Sequence, residues 1–164
     1  MKHLYLVRHA KSSWKETGLS DIDRPLNERG KRDATFMGKI LVDKKVNPDL
    51  ILSSPAKRAR KTALAIADKL DFKSDKIVFN ENIYEASASE LINIIRNVND
   101  EIKDVMIFGH NPGLTMLHNS LSKHYIDNIP TCGIVALKFN GSWKNINSQA
   151  TELVFFEYPK LHYK

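Results

Sequence analysis

Cysteine is almost absent: Cys132 stands alone in 164 residues, so no internal disulfide can brace the chain. No cysteine pair or His-x-x-x-His spacing offers the ligands of a zinc site, and Cys132 is expected to be a buried, inert thiol. Long apolar runs are missing too, so nothing in the sequence approaches the length that spans a bilayer. Met1-Lys2 passes directly into a short apolar strand, without the longer apolar segment and small-residue cleavage site of a secretory signal. Internal repeats, low-complexity tracts and linkers are also lacking. These absences predict a soluble, cytoplasmic protein with one domain over residues 1–164, no metal and no membrane partner.

What is present suits an ordinary globular core. Hydrophobic residues make up 42% and charged residues 27%, a balance far from that of disordered or fibrous chains, and the length suffices to bury a core. The net charge of +6 favours anionic partners without choosing among phosphate groups, nucleic acid and acidic surfaces. One dense basic cluster, Lys57-Arg58-Ala59-Arg60-Lys61, stands out.

Apolar runs alternate with amphipathic stretches. Leu4-Tyr5-Leu6-Val7 reads as a buried strand that stops at Arg8-His9-Ala10, and residues 11–26, with Gly18, Asp21, Asp23 and Pro25, read as a long surface loop. Asn27 is expected to cap a helix reaching about Lys45. A second strand over residues 49–53 follows Asn47-Pro48, after which Ser54 is expected to cap a helix with Pro55 in its first turn. Residues 77–79 read as a short strand, 89–98 as an amphipathic helix, and Val105-Met106-Ile107-Phe108-Gly109 as a buried strand ending at His110. Asn111-Pro112 repeats the cap and proline and should start a helix toward Leu121. Two late strands, over 133–139 and 152–157, flank Asn140-Gly141, a hairpin or sharp-turn signal. The pattern predicts an α/β fold: a three-layer domain with a mostly parallel central sheet, at least one antiparallel strand, and helices on both faces.

In such a sheet, ligands bind at the carboxyl ends of the strands. Arg8 and His9 follow the first strand, Arg58 lies one helical turn beyond the second, and His110 follows the central one. The helices after Ser54 and Asn111 would point amino termini at the same edge, offering N–H groups to an anion. Phosphate fits this set, because arginine forks hold its oxygens bidentately and neutral imidazole can attack phosphorus.

These residues sit in four segments that together resemble the histidine phosphatase superfamily. Leu6-Val7-Arg8-His9-Ala10 is similar to its Arg-His signature, with alanine where many members carry glycine. Ser53-Ser54-Pro55-Ala56-Lys57-Arg58-Ala59-Arg60-Lys61-Thr62-Ala63 resembles the second signature, Phe108-Gly109-His110-Asn111-Pro112-Gly113 the third, and Arg24-Pro25-Leu26-Asn27-Glu28-Arg29-Gly30 a further segment leading into the first helix. The segments occur in family order. The short length, without the insertions of phytases and acid phosphatases, resembles the SixA-type phosphohistidine phosphatase branch.

The resemblance implies that His9 is the nucleophile and carries a phosphohistidine intermediate, that Arg8, Arg58 and His110 bind the phosphoryl oxygens, and that no cofactor is needed. Arg60 competes with Arg58 for its role. An ester substrate needs a proton donor for its leaving alkoxide, and many family members use a carboxylate after the third strand; Glu85 is the candidate here, with Glu81 its rival. Lys11, Ser12 and Ser13, just after the nucleophile, are candidates for extending the phosphate cradle through backbone or hydroxyl groups. The expected activity is a metal-independent phosphatase acting on phosphohistidine in a protein, with hydrolysis of small phosphate monoesters as the alternative. A noncatalytic nucleic-acid-binding module would match the basic charge, but the chain has no recognition-helix or aromatic-basic stacking signature. The partner expected is therefore a phosphorylated protein or small phosphorylated substrate, and not nucleic acid.

Overall fold

A computed structural model describes residues 1–163. Strand β1 (Lys2–Arg8) is followed by the long loop and helix α1 (Glu28–Asp43), then β2 (Leu50–Ser53), α2 (Lys57–Lys69) and the short β3 (Val78–Phe79). Helix α3 (Ala88–Arg96), β4 (Asp104–Gly109), α4 (Gly113–Leu121), β5 (Ile134–Phe139) and β6 (Glu152–Glu157) complete the chain. Six strands form one sheet in the order β3-β2-β4-β1-β5-β6. Pairs β2–β3, β2–β4 and β1–β4 are parallel, whereas β5 runs antiparallel to both β1 and β6. The sheet is mixed, as expected, and β5 is the single reversed strand.

Side chains alternate along each strand, so a strand covered on both faces contributes to two cores. Leu4 and Leu6 of β1 pack with Val105 and Ile107 of β4 against Leu91 and Ile95 of α3 and Leu114 and Leu117 of α4. Tyr5 and Val7 point the other way, joining Met106 and Phe108 against Met37 and Leu41 of α1 and Ala63 and Ile66 of α2. This produces the three layers. Trp143, fully buried in the first core, donates its indole N–H to the Ile102 carbonyl at 2.8 Å, which satisfies the one polar atom that burial would strand.

Side-chain caps start two of the four helices, α1 and α3. Asn27 accepts the Gly30 amide at 2.7 Å, as its sequence position predicts. Ser87 and Glu90 form a reciprocal capping box at the start of α3. The Ser54 expectation needs correction: α2 begins at Lys57 with Ala56 as its capping residue, which makes no side-chain cap bond. Ser54 Oγ instead accepts the Ala56 amide at 3.1 Å, closing a turn before the helix. Helix α4 begins at Gly113 rather than Pro112, and Asn111 Oδ1 accepts from both the amide and the hydroxyl of Thr115. Asn140-Gly141 turns the chain, with Gly141 at φ 121°, but it does not close a tight hairpin. The connection between β5 and β6 continues through a 3₁₀ turn at Trp143–Asn145.

No helix among the described residues is long and apolar enough to cross a membrane.

Candidate active site

The parallel core of the sheet places the ends of β1, β2 and β4 side by side. Arg8 pairs in register with Gly109, so His9 and His110 leave neighbouring strands at the same level. Their ring centroids lie 5.2 Å apart, and both side chains are buried. The Arg8 guanidinium reaches the loop before β5, where Nη1 donates to the Ile129 carbonyl at 2.9 Å. Arg58, on the first turn of α2, is also buried. Arg60, its sequence rival, faces a groove on the outer side of α2.

One hydrogen bond sets the chemistry of His9. Its Nδ1 lies 2.8 Å from the Ala10 carbonyl, which can only accept, so Nδ1 carries the proton and Nε2 keeps its lone pair. Burial is the main cause that pushes this imidazole from 6.5 down to about 3. The carbonyl bond opposes that shift, while His110, Arg58 and Arg8 reinforce it. His110 falls to about 4 for the same primary reason, with Arg58 and Arg8 lowering it and Asp21 pulling the other way. Both rings are neutral at pH 7. The His110 Nε2 lies 2.8 Å from Ser54 Oγ, whereas its buried Nδ1 and the buried Arg8 Nε have no hydrogen-bond partner among the described residues.

Asp21, which the sequence marks only as a loop former, is the main electrostatic surprise. It heads a 3₁₀ turn, Asp21–Asp23, in the long loop. Its backbone carbonyl accepts from Arg58 Nη1 at 2.7 Å and its Oδ2 from Arg58 Nη2 at 2.9 Å. The same Oδ2 accepts from the Tyr84 hydroxyl at 2.5 Å, and Oδ1 accepts from Arg24 Nη1 at 2.9 Å. The Tyr84 bond is the largest cause holding the Asp21 carboxyl far below the usual carboxylate range, followed among the lowering influences by Arg58 and Arg24. The bond to Asp21 in turn raises Tyr84 to about 12. The Tyr84 ring also meets His110 edge-on, with centroids 5.5 Å apart.

Arg24 is the second residue whose place the sequence understates. Its guanidinium is held by Asp21, the Ser13 carbonyl and Ser12 Oγ, and it lies against the exposed Trp14 ring at 3.3 Å from the centroid. Ser12 therefore meets the site through Arg24. The Lys11 side chain is exposed, while its backbone carbonyl accepts the Asn27 amide and anchors the start of α1. Glu85 is exposed beside Tyr84 and adopts a left-handed φ of 56°. Its charge helps raise the Tyr84 hydroxyl, which places it beside the site rather than among the buried groups.

A signal for Asp21 and Tyr84 exists only in their neighbourhoods, the Arg24-Pro25 segment and Glu85, and neither side chain advertises its partner across the fold. Among the described residues no three His, Cys, Asp or Glu side chains group as a metal site requires. The site gathers two neutral imidazoles and three arginines around one acidic turn, an arrangement suited to a tetrahedral oxyanion.

Comparisons with known proteins agree with this fold. An uncharacterized chloroplastic protein of Arabidopsis thaliana is 35% identical over 152 residues, covering 87% of this chain and 69% of that protein. A structure from Agrobacterium tumefaciens, assigned to phosphohistidine phosphatase SixA, superposes with a TM-score of 0.81 at 30% identity, covering 96% of this chain and 98% of that one. The protein histidine phosphatase SixA complexed with tungstate shares the fold, with a TM-score of 0.83 at 19% identity over 97% of this chain and 98% of its own. The family model for the histidine phosphatase superfamily, branch 1, matches residues 4–106. The chain belongs to the histidine phosphatase superfamily.

Proposed function

We propose that this protein is a phosphatase that removes the phosphoryl group from phosphohistidine in a protein, with His9 as the nucleophile. The observation that carries the reading is the tautomer of His9: the Ala10 carbonyl holds the proton on Nδ1 and leaves Nε2 free to attack. Family membership and the structural likeness to the Agrobacterium protein support the phosphatase class.

In the first step the His9 Nε2 lone pair forms a bond to phosphorus as the bond to the substrate imidazole breaks. The substrate ring, already protonated on its other nitrogen, leaves as neutral imidazole, so the leaving nitrogen needs no donor. The His9 ring becomes positively charged, and the Nδ1–H bond to the Ala10 carbonyl stabilises that charge. Arg8, Arg58 and His110 hold the phosphoryl oxygens through both steps, the dominant contribution in phosphoryl transfer. The orphaned Arg8 Nε and His110 Nδ1 support this role, because buried polar groups without partners are uncommon. In the second step water attacks phosphorus, the bond to His9 breaks, and phosphate leaves with the proton count restored.

A protonated imidazole leaves readily, so phosphohistidine makes little demand for a dedicated acid. A phosphate ester makes more, and the position of Glu85 beside Tyr84 favours ester hydrolysis as the second reading. Wild type, His9→Ala and Glu85→Gln should be compared on a phosphohistidine protein and on a simple phosphate ester. His9→Ala is expected to abolish both activities, and unchanged turnover would remove it as nucleophile. Glu85→Gln is expected to spare phosphohistidine hydrolysis; a large loss there would show that the acid is needed for this substrate too.

A further inference from the structure

The basic cluster at the start of α2 reaches the reaction site only through Arg58. Residues Lys57, Arg60 and Lys61 stand at helix positions i, i+3 and i+4, so they share a face that Arg58 does not. This placement has a local cost. Like charges at that spacing repel, and cations in a first helical turn oppose the positive end of the helix dipole. No acidic residue occupies the first turn of α2, and none of these three cations joins an ion pair among the described residues.

These cations line a groove between α1 and α2. Two adjoining hollows of about 630 and 480 Å³ share Pro25, Leu26, Lys31 and Lys57. Ala34 and Ala65 extend an apolar floor beneath Lys57 and Lys61. The acidic side chains of the groove, Glu16, Asp23 and Glu28, belong to the long loop and the start of α1, and Glu28 already pairs with Lys31 at 3.3 Å. The α2 wall is left as a positive strip with no ion-pair partner among the described residues, over an apolar floor. The groove lies next to the reaction site, because Lys57 adjoins Arg58, and the Asp21–Asp23 turn separates the two: Asp21 holds Arg58 while Asp23 lines the groove.

We propose that this groove docks an acidic segment of the phosphorylated substrate protein, with two or three carboxylates on the α2 strip and an apolar side chain on the Pro25-Leu26 floor. The proposal rests on the phosphohistidine reading above. It assigns substrate selection to charge complementarity beside the site, and it gives the three cations a role that offsets their local cost.

The test uses synthetic phosphohistidine peptides flanked on both sides by glutamate and leucine, or by glutamine and leucine. Wild type is expected to show a KM about tenfold lower for the glutamate peptide, the order of a few exposed ion pairs, with similar kcat. In Lys57→Gln/Arg60→Gln/Lys61→Gln that preference should vanish, while hydrolysis of the glutamine peptide and of free phosphohistidine stays within about twofold and the melting temperature holds or rises as repulsion is relieved. Absence of the preference in wild type, or its survival in the triple variant, overturns the groove proposal. The two readings fail separately. If wild type hydrolyses no phosphohistidine compound, the parent reading fails, and anisotropy of the unphosphorylated glutamate peptide on wild type and the triple variant still decides the groove. Tighter binding of a single-stranded RNA oligonucleotide than of the acidic peptide at equal ionic strength also overturns it.

Discussion

Acidification should destabilise this protein through the two histidines that face each other at the end of the sheet. His9 and His110 have folded values near 3 and 4 against 6.5 in an unfolded chain. Well above pH 6.5 both states leave the rings neutral, and the folded state keeps its full stability. As pH falls through 6.5 the unfolded chain takes up protons that the folded rings refuse, so stability declines until the folded values are reached. Between pH 7 and pH 5 each ring contributes a loss of about 2 kcal/mol, about 4 kcal/mol together. Urea unfolding of wild type and His9→Gln/His110→Gln at both pH values measures this. The double variant should lose about 4 kcal/mol less than wild type over that interval. His118 is also lowered by burial, but it is common to both proteins and cancels. Equal losses in the two proteins, to within about 1 kcal/mol, would refute the claim that the pocket keeps these rings neutral.

Asp21→Asn removes the carboxylate that engages the Arg58 fork, and inorganic phosphate should then inhibit about fivefold more tightly, the order of one partly exposed ion pair. Weaker inhibition would mean that Asp21 chiefly positions Arg58. Ser54→Ala takes away the hydroxyl beside His110 Nε2; it should cost about 1–3 kcal/mol of stability by chemical denaturation and lower kcat more than it raises KM. In Gly113→Ala the new methyl would meet the Ala86 carbonyl oxygen at 2.1 Å, forcing α4 away from the segment that leads into α3. A loss of about 1–3 kcal/mol is expected, and an unchanged melting temperature would contradict that tight approach.

The sequence revealed what periodicity and strand ends carry. The two-face alternation of β1 and β4, the Asn27 cap, and the delivery of Arg8, His9 and His110 to one edge all follow from short-range patterns. The Ser54 hydroxyl did not: its helix-cap signature is equally compatible with the turn it actually closes, and only the parallel pairing of β2 with β4 brings it to His110. Asp21 was hidden more deeply. A carboxylate in a polar loop carries no local mark of its bonds to Arg58 and Tyr84, residues separated from it by 37 and 63 positions. Loop composition predicts exposure and turns, whereas the partners of a loop side chain depend on where the whole segment folds back.

Strand β5 is the one strand that runs against the others, and so its beginning lies where β1 ends. The chain entering it passes along the rim that holds Arg8 and His9: the Ile129 carbonyl takes Arg8, the Cys132 amide donates to the His9 carbonyl at 3.0 Å, and the Gly133 carbonyl accepts the Arg8 amide at 3.0 Å. The chain leaving β5 emerges at the opposite rim. The two loops around this strand therefore offer different freedoms to mutation and engineering. Lengthening the segment before β5 remodels the walls around His9, while residues 147–150, beyond the buried Trp143 and Ile146, provide a distant place for an insertion or a reporter. A single reversed strand thus separates the rim that gathers His9 and Arg8 from a short surface stretch, residues 147–150, that touches neither.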